Sequence, residues 1–343
     1  MNEKLTGKQF LNKVLAGMSM GIIISLLPGS LIGEVAKVFG WQSIIDLTTV
    51  ATRLLAPTMG ICIAMQFKLT PIQTGTLAIT TMVGAGAVQV VDGTMVLAGM
   101  GDVLNAGLTA AVAVALLLLI GDKLKAYTIL LLSTIVITIA GLVGLFTLPY
   151  VTSITGAIGQ VIAHFTTLQP VLMGILIAMT FSFLIMSPIS TVGVAMAISL
   201  SGIGSGAANL GVCAAGFGLA IAGIRQNSLG TSSIHFLGSA KIQMPNLVRN
   251  PKIILPILCN AAVLGALAGV LEIEGTPMSA GFGFAGLMGP LNHLNIAGFS
   301  AQNLMLTSLM FLVLPVALGF IFKVVFINLG KIIKEEDYRI ELD

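Results

Sequence analysis

The Lys and Arg residues of this chain sit almost entirely between long apolar runs, and one assignment of sides puts nearly all of them together. About 20 apolar residues suffice to cross a bilayer core, and ten candidate spans are marked, near 10–28, 44–66, 71–90, 103–121, 126–148, 169–187, 189–204, 207–223, 253–271 and 303–327. With the N-terminus inside, the inner segments hold Lys4, Lys8, Lys13, Lys68, Lys123, Lys125, Arg225, Lys241, Arg249, Lys252, Lys323, Lys331, Lys334 and Arg339, which is 14 of the 16 basic residues. Only Lys37 falls outside and Arg53 within a span, while the acidic Glu34, Asp92, Glu272 and Glu274 fall outside. Basic residues collect in cytoplasmic loops, and one miscounted early helix would scramble the partition. The pattern predicts an all-α polytopic membrane protein with about ten transmembrane helices, seated in the lipid bilayer of a bacterial inner membrane with both termini cytoplasmic. Lys4, Lys8 and Lys13 precede a first apolar run with no small-residue cleavage site, so it reads as an uncleaved helix. The charged fraction of 8% is far below the roughly 25% of soluble domains. A net charge of +3, with no basic run interleaved with aromatics, excludes nucleic acid as a partner.

The chain repeats itself. PTMGICIAMQF at 57–67 and VLMGILIAMTF at 171–181 share MGIxIAMxF at a spacing of 114 residues. Each is followed by a Pro-Ile pair (71–72 and 188–189) and a Gly-rich turn (84–87 and 202–207). Weakly amphipathic stretches precede them at 28–40 and 149–165, and 277–291 is a partial third copy. Four spans separate the copies, so they are parallel. One domain over 1–343 is expected, with repeat 1 at about 10–125, repeat 2 at about 126–252, a partial third copy at about 253–327 and a cytoplasmic tail at 328–343. Substrate sites of such proteins lie at repeat interfaces, near broken helices.

The longest polar stretch is IRQNSLGTSSIHFLGSAKIQMPNLVRNPK at 224–252. It carries Arg225, Asn227, His235, Gln243, Asn246 and Asn250, yet also Ile234, Phe236, Leu237, Ile242, Met244 and Leu247, too apolar for a free loop. Gly230, Gly238, Pro245 and Pro251 break its helices. We expect a re-entrant segment lining a cavity, whose amides and hydroxyls suit a sugar and whose Arg suits an anion. Arg53 within a span is a functional candidate by default, with a structural ion pair or snorkelling as the plain reading. Asp102 and Asn105 share a helix face, with Asp102 either capping the helix or lining a pocket. His164 and His293 read as wetted outer residues. The lone Cys62, Cys213 and Cys259 read as small buried hydrophobes. No catalytic centre, metal cluster or cofactor motif is present, so catalytic, metal and cofactor assignments are none.

RQNSLG at 225–230, LGSAKIQMPNLVRNPKIILP at 237–256, TPMSAGFGFAGLMG at 276–289 and GDVLNAGLTA at 101–110 resemble the EIIC-like permeases of the phosphotransferase system, in the branch of PfoR-type regulators. Gln226 departs from the acidic residue often found in the first motif. EGTP at 274–277 is only a superficial match to the sugar motif of glucose-superfamily permeases, so no catalytic glutamate is carried over. The resemblance implies transport of a small polar solute, a carbohydrate, by a homodimer that needs separate cytosolic IIB and IIA proteins. The competing readings are a membrane-embedded sensor without transport and a secondary transporter of a small anion resting on Arg53 and Arg225.

Overall fold

The computed structural model describes residues 6–33, 36, 39–121, 123–277 and 279–340. Lys4, Glu34 and Lys37 of the charge partition lie outside the described residues. The chain forms two compact units, Met1–Gly29 with Ser43–Ile154, and Ser30–Gln42 with Thr155–Asp343.

The first unit opens with α1, Gly7–Pro28, started by a capping box in which the Thr6 hydroxyl accepts the Gln9 N–H and the Gln9 side chain reaches back. Helices α2 (Gln42–Arg53) and α3 (Leu55–Gln66) form one broken span bent by 54°. Helix α4, Pro71–Gly84, uses a second capping box of Thr70 and Gln73, with Pro71 in its first turn. It ends after 14 residues and gives way to a hairpin of β1 (Val88–Val91) and β2 (Thr94–Leu97). The turn residues Asp92 and Gly93 are both left-handed, with φ of 50° and 78°, the geometry that suits the strand twist. The expected span at 71–90 is therefore a short helix plus a strand. Helix α5, Val103–Ile120, follows Asp102, and α6, Thr128–Phe165, runs unbroken for 38 residues through Pro149. The expected separate stretch at 149–165 is thus the end of that helix. Gly17 and Gly21 of α1 let α3 approach so closely that a Cβ on either would collide with the backbone of Ile63 or Met59.

The second unit contains α7 (Pro170–Met186), α8 (Thr191–Ala197), α9 (Gly202–Ala222), α10 (Leu229–Leu237), α11 (Met244–Arg249), α12 (Leu255–Val270), α13 (Met288–Ala297) and α14 (Ala301–Leu329). The expected span at 189–204 is broken: α8 has only 7 residues, and the chain turns at Ser199 (φ 51°) and Gly202 (φ 60°) before α9. Every residue of α9 from Gly204 to Ala222 is buried, with α7, α12 and α14 packed around it. Glycine makes this possible: a Cβ at Gly211 would strike the Ala178 carbonyl, and α7 and α12 touch backbone to backbone at Gly174 and Gly265.

Six of the described helices are long and apolar enough to cross a membrane, or seven with the bent pair, and α7 is a shorter apolar helix. The chain is a multi-pass membrane protein. The two copies of MGIxIAMxF fall on α3 of the first unit and α7 of the second.

Candidate functional site

Two polar segments of the second unit, broken by Gly and Pro, converge on α9. The first is the stretch at 224–252. Ser228 caps α10 by accepting the Thr231 N–H, Gly238 ends it, and a 3-10 turn over Ala240–Gln243 leads to Pro245 in the first turn of α11. The second connects α12 to α13. It is tied to the start of α9 by paired backbone bonds, Gly202 N to Gly275 O at 2.9 Å and Gly275 N to Gly202 O at 3.0 Å. Three of its glycines, Gly281, Gly283 and Gly286, have positive φ. At Gly281 any side chain would also strike Thr191. An aromatic trio joins the segments: Phe217 of α9 stacks on Phe236 of α10 at 4.7 Å and meets the edge of Phe284 at 5.2 Å. Phe217 is buried, while Phe236 and Phe284 are half-buried.

The first segment gathers Asn227, His235, Gln243 and Asn246 into one network whose other half is the C-terminal tail. Asn227 Nδ2 donates to the Tyr338 carbonyl (3.0 Å) and the Gly223 carbonyl (3.2 Å), and its Oδ1 accepts the Ile340 N–H (2.9 Å). Gln243 Nε2 donates to the Tyr338 carbonyl (2.9 Å) and to His235 Nε2 (3.2 Å). Asn246 Nδ2 donates to Gln243 Oε1 (2.8 Å) and to the Arg339 carbonyl (2.7 Å). His235 Nδ1 then donates to the Ser232 carbonyl at 2.9 Å. Burial lowers its pKa to about 4, so the ring is neutral at physiological pH. Arg225 stands at the edge, 3.8 Å from Glu335, which also pairs with Lys323 at 2.9 Å. Asn250 accepts the Lys252 N–H at the start of the next turn.

The other sequence candidates belong to the first unit. Asp102 caps α5 by accepting the Asn105 N–H at 2.7 Å. Asn105 is fully buried and its side chain is saturated: Nδ2 donates to the Gly84 (2.6 Å) and Gly144 (2.8 Å) carbonyls, and Oδ1 accepts from Thr147 (2.7 Å). Arg53, exposed at the α2–α3 bend, donates to the Leu97 carbonyl at 3.2 Å.

A second polar cluster was not singled out in the sequence. Ser205 and Asn209 on α9 brace the α12–α13 connection, with Ser205 donating to the Thr276 carbonyl (2.8 Å), Asn209 Nδ2 donating to Ser279 (3.2 Å) and Asn209 Oδ1 accepting the Gly283 N–H (3.1 Å). Asn292 Oδ1 accepts from Thr276 N and Ser279 Oγ, both at 2.9 Å, which orients its amide. Beside it His293, expected to be wetted, is only 3% exposed. Its Nδ1 accepts the Glu274 N–H at 3.2 Å, so the ring proton sits on Nε2. That Nε2 is buried with no partner among the described residues. Burial pulls the His293 pKa below its ordinary value, with Glu274 acting against it, so the group is a neutral donor. An unmet buried donor costs about 1–3 kcal/mol, and a ligand oxygen removes that cost. The outward signal was EGTP followed by an Asn-His pair, which no local pattern connects. No group of His, Cys, Asp or Glu suited to a metal occurs among the described residues.

Residues 12–340 match the family model described as phosphotransferase system, EIIC. No curated protein and no solved structure matches the chain.

Proposed function

Because the chain belongs to the phosphotransferase-system EIIC family, and is thereby a membrane permease of the sugar phosphotransferase type with separate IIA and IIB partners, we propose that it carries a neutral carbohydrate through its second unit. The sugar is held between the α12–α13 connection and α9. The observation that carries this reading is the partnerless Nε2–H of His293, set beside the oriented Asn292 amide and the half-buried Glu274. Two donors and a carboxylate acceptor match vicinal hydroxyls, and the faces of Phe236 and Phe284 match the apolar face of a pyranose. The stretch at 224–252 lies on the release side: Phe236 borders the sugar, and Arg225, Asn227, His235, Gln243, Asn246 and Asn250 hold that side in shape.

A neutral solute follows from where the cations are. Lys241 donates to the carbonyls of Leu184, Ser187 and Ile189. Lys323 and Arg225 face Glu335. An anion held by Lys241, Lys323 or Arg225 would have to displace one of these contacts. The charge partition supports cytoplasmic termini in a bacterial inner membrane, and the motifs at 225–230 and 237–256 support the PfoR-type branch. The resemblance of the motifs at 225–230 and 237–256 to EIIC-like permeases supports a homodimer as the working unit.

The test is a thermal-shift screen of the purified protein over neutral sugars and small anions, followed by assay of proteoliposomes with a cytosolic fraction supplying IIA and IIB. A neutral sugar that stabilises the protein, loses affinity in His293→Gln and emerges phosphorylated supports the reading. Stabilisation by anions alone, or binding without movement across the membrane, overturns it in favour of an anion carrier or a sensor.

A further inference from the structure

The three side-chain amides at the heart of the polar stretch have no N–H left to give a solute. Both Nδ2 protons of Asn227, both Nε2 protons of Gln243 and both Nδ2 protons of Asn246 are used, and four of those six bonds fix either the tail backbone or the amide beside it. The tail is read through its backbone, where a 3-10 turn over Glu335–Tyr338 gives way to extended chain at Arg339. Two of its carbonyls, of Tyr338 and Arg339, and one N–H, of Ile340, are taken by side chains that project from the stretch. Backbone reading of this kind is how grooves hold peptide segments. Tyr338 is the anchor: its ring is completely buried and its hydroxyl donates to the Ile253 carbonyl at 2.9 Å. Glu335 adds an ionic contact to Lys323, which itself donates to the Ile221 carbonyl at 3.0 Å.

The places the tail touches are the joints of the segment. Asn227 lies between α9 and α10, Gln243 and Asn246 flank Pro245, and Ile253 precedes α12. The tail thus bridges three breaks with contacts from a single eleven-residue segment running from Gly330 to Ile340. While it is docked, Gln243 links the Tyr338 carbonyl to His235 of α10, whose neighbour Phe236 stacks on Phe217 at 4.7 Å. Once it leaves, three amide protons, one each on Asn227, Gln243 and Asn246, lose their partners and are free to turn toward a solute.

We propose that residues 330–340 are a latch on the side that the charge partition assigns to the cytoplasm. Docked, the latch keeps the 224–252 segment closed. Released, it frees α10 to move and hands the amides of Asn227, Gln243 and Asn246 to the departing sugar. The inference rests on the transport reading for its purpose, although the docking and its effect on α10 are testable without any sugar.

The full-length protein is tested in inside-out membrane vesicles. Cys62, Cys213 and Cys259 are replaced by Ala, and a reporter cysteine is introduced as Phe236→Cys or, in a separate variant, Ser233→Cys on the same helix. Labelling by a membrane-impermeant maleimide is timed with the native tail, with Tyr338→Phe plus Asn246→Ala, and with residues 331–343 removed. The latch predicts labelling at least fivefold faster in both tail variants, with unchanged size-exclusion profiles and with earlier tryptic cleavage at Arg339 in the point variant. Equal labelling rates in all three proteins overturn the latch, as does a tail that is cut no faster in the point variant. Collapse of the size-exclusion profile on mild substitution overturns it too, because the tail is then an obligate part of the fold. Loss of sugar binding in His293→Gln is a separate measurement, so failure of the sugar site leaves the labelling result intact.

Discussion

The ammonium of Lys241 closes on the carbonyl oxygen of Ser187, the residue at which α7 ends, and on those of Leu184 and Ile189 beside it. A helix C-terminus leaves carbonyls without intrahelical partners and carries partial negative charge. Lys241 supplies the missing donors from within the polar stretch, and so ties that stretch to the break between α7 and α8.

This contact carries a pH signature. Burial pushes the Lys241 pKa down from 10.5 to about 7. Between those values the unfolded chain holds a proton that the folded chain has shed, so folding stability rises with pH through that window. The slope approaches about 1.4 kcal/mol per pH unit. Thermal unfolding of the native protein is expected to shift upward from pH 7 to pH 10 relative to Lys241→Met, in which this component is absent. Parallel pH profiles for the two proteins contradict the assignment.

Asn105 gives a stability prediction for the first unit. Its amide joins the Gly84 and Gly144 carbonyls to the Thr147 hydroxyl inside a fully buried site. Asn105→Leu strands the Gly84 carbonyl, while the Thr147 hydroxyl still donates to the Gly144 carbonyl at 3.1 Å, and an unmet buried group costs about 1–3 kcal/mol. A loss of about 2 kcal/mol is expected in detergent unfolding. Asp102→Ala removes only the cap and is expected to cost about 1 kcal/mol. Sugar-dependent stabilisation should survive both, which separates these residues from substrate contact.

For the sugar site the expectation is reversed. His293→Gln keeps a donor but shifts its position away from the one fixed by the Glu274 N–H. Affinity is expected to fall about tenfold, the equivalent of one neutral hydrogen bond, with the melting temperature in the absence of sugar changing little. A large fall in intrinsic stability with unchanged affinity would show His293 to be a packing residue.

What the sequence reveals and what it hides follow from the range of the interactions. Capping at Asp102 needs three residues of context, and the apolar helices need about twenty, so both are legible. The hairpin at 88–97 is not, because VQVV and TMVL raise hydropathy as much as a helix would. Its one local mark was Asp92-Gly93. The burial of His293 depends on α14, through Phe311 with ring centroids 6.3 Å apart. The partners of Asn227, Gln243 and Asn246 lie about a hundred residues downstream, in a charged tail that reads as solvated. No window on the chain contains both halves of that network.

Glycine supplies the sharpest contrast between positions of the same type. A Cβ added at Gly174 would collide with the Gly265 carbonyl, and one at Gly265 would collide with Gly174 and Ala178, so α7 and α12 cannot keep their spacing. Backbone on that interface cannot yield as a flexible side chain does. Gly174→Ala is therefore expected to lower stability by about 1–3 kcal/mol, the usual scale of overpacking, or more. Gly75 lies in α4 with nothing within 4 Å of an added Cβ. There the Ala side chain meets no neighbour and the helix gains propensity, so Gly75→Ala should raise stability by up to about 1 kcal/mol. Paired unfolding measurements on the two variants check both signs at once. Equal effects would mean that close helix approach does not govern the packing of the second unit.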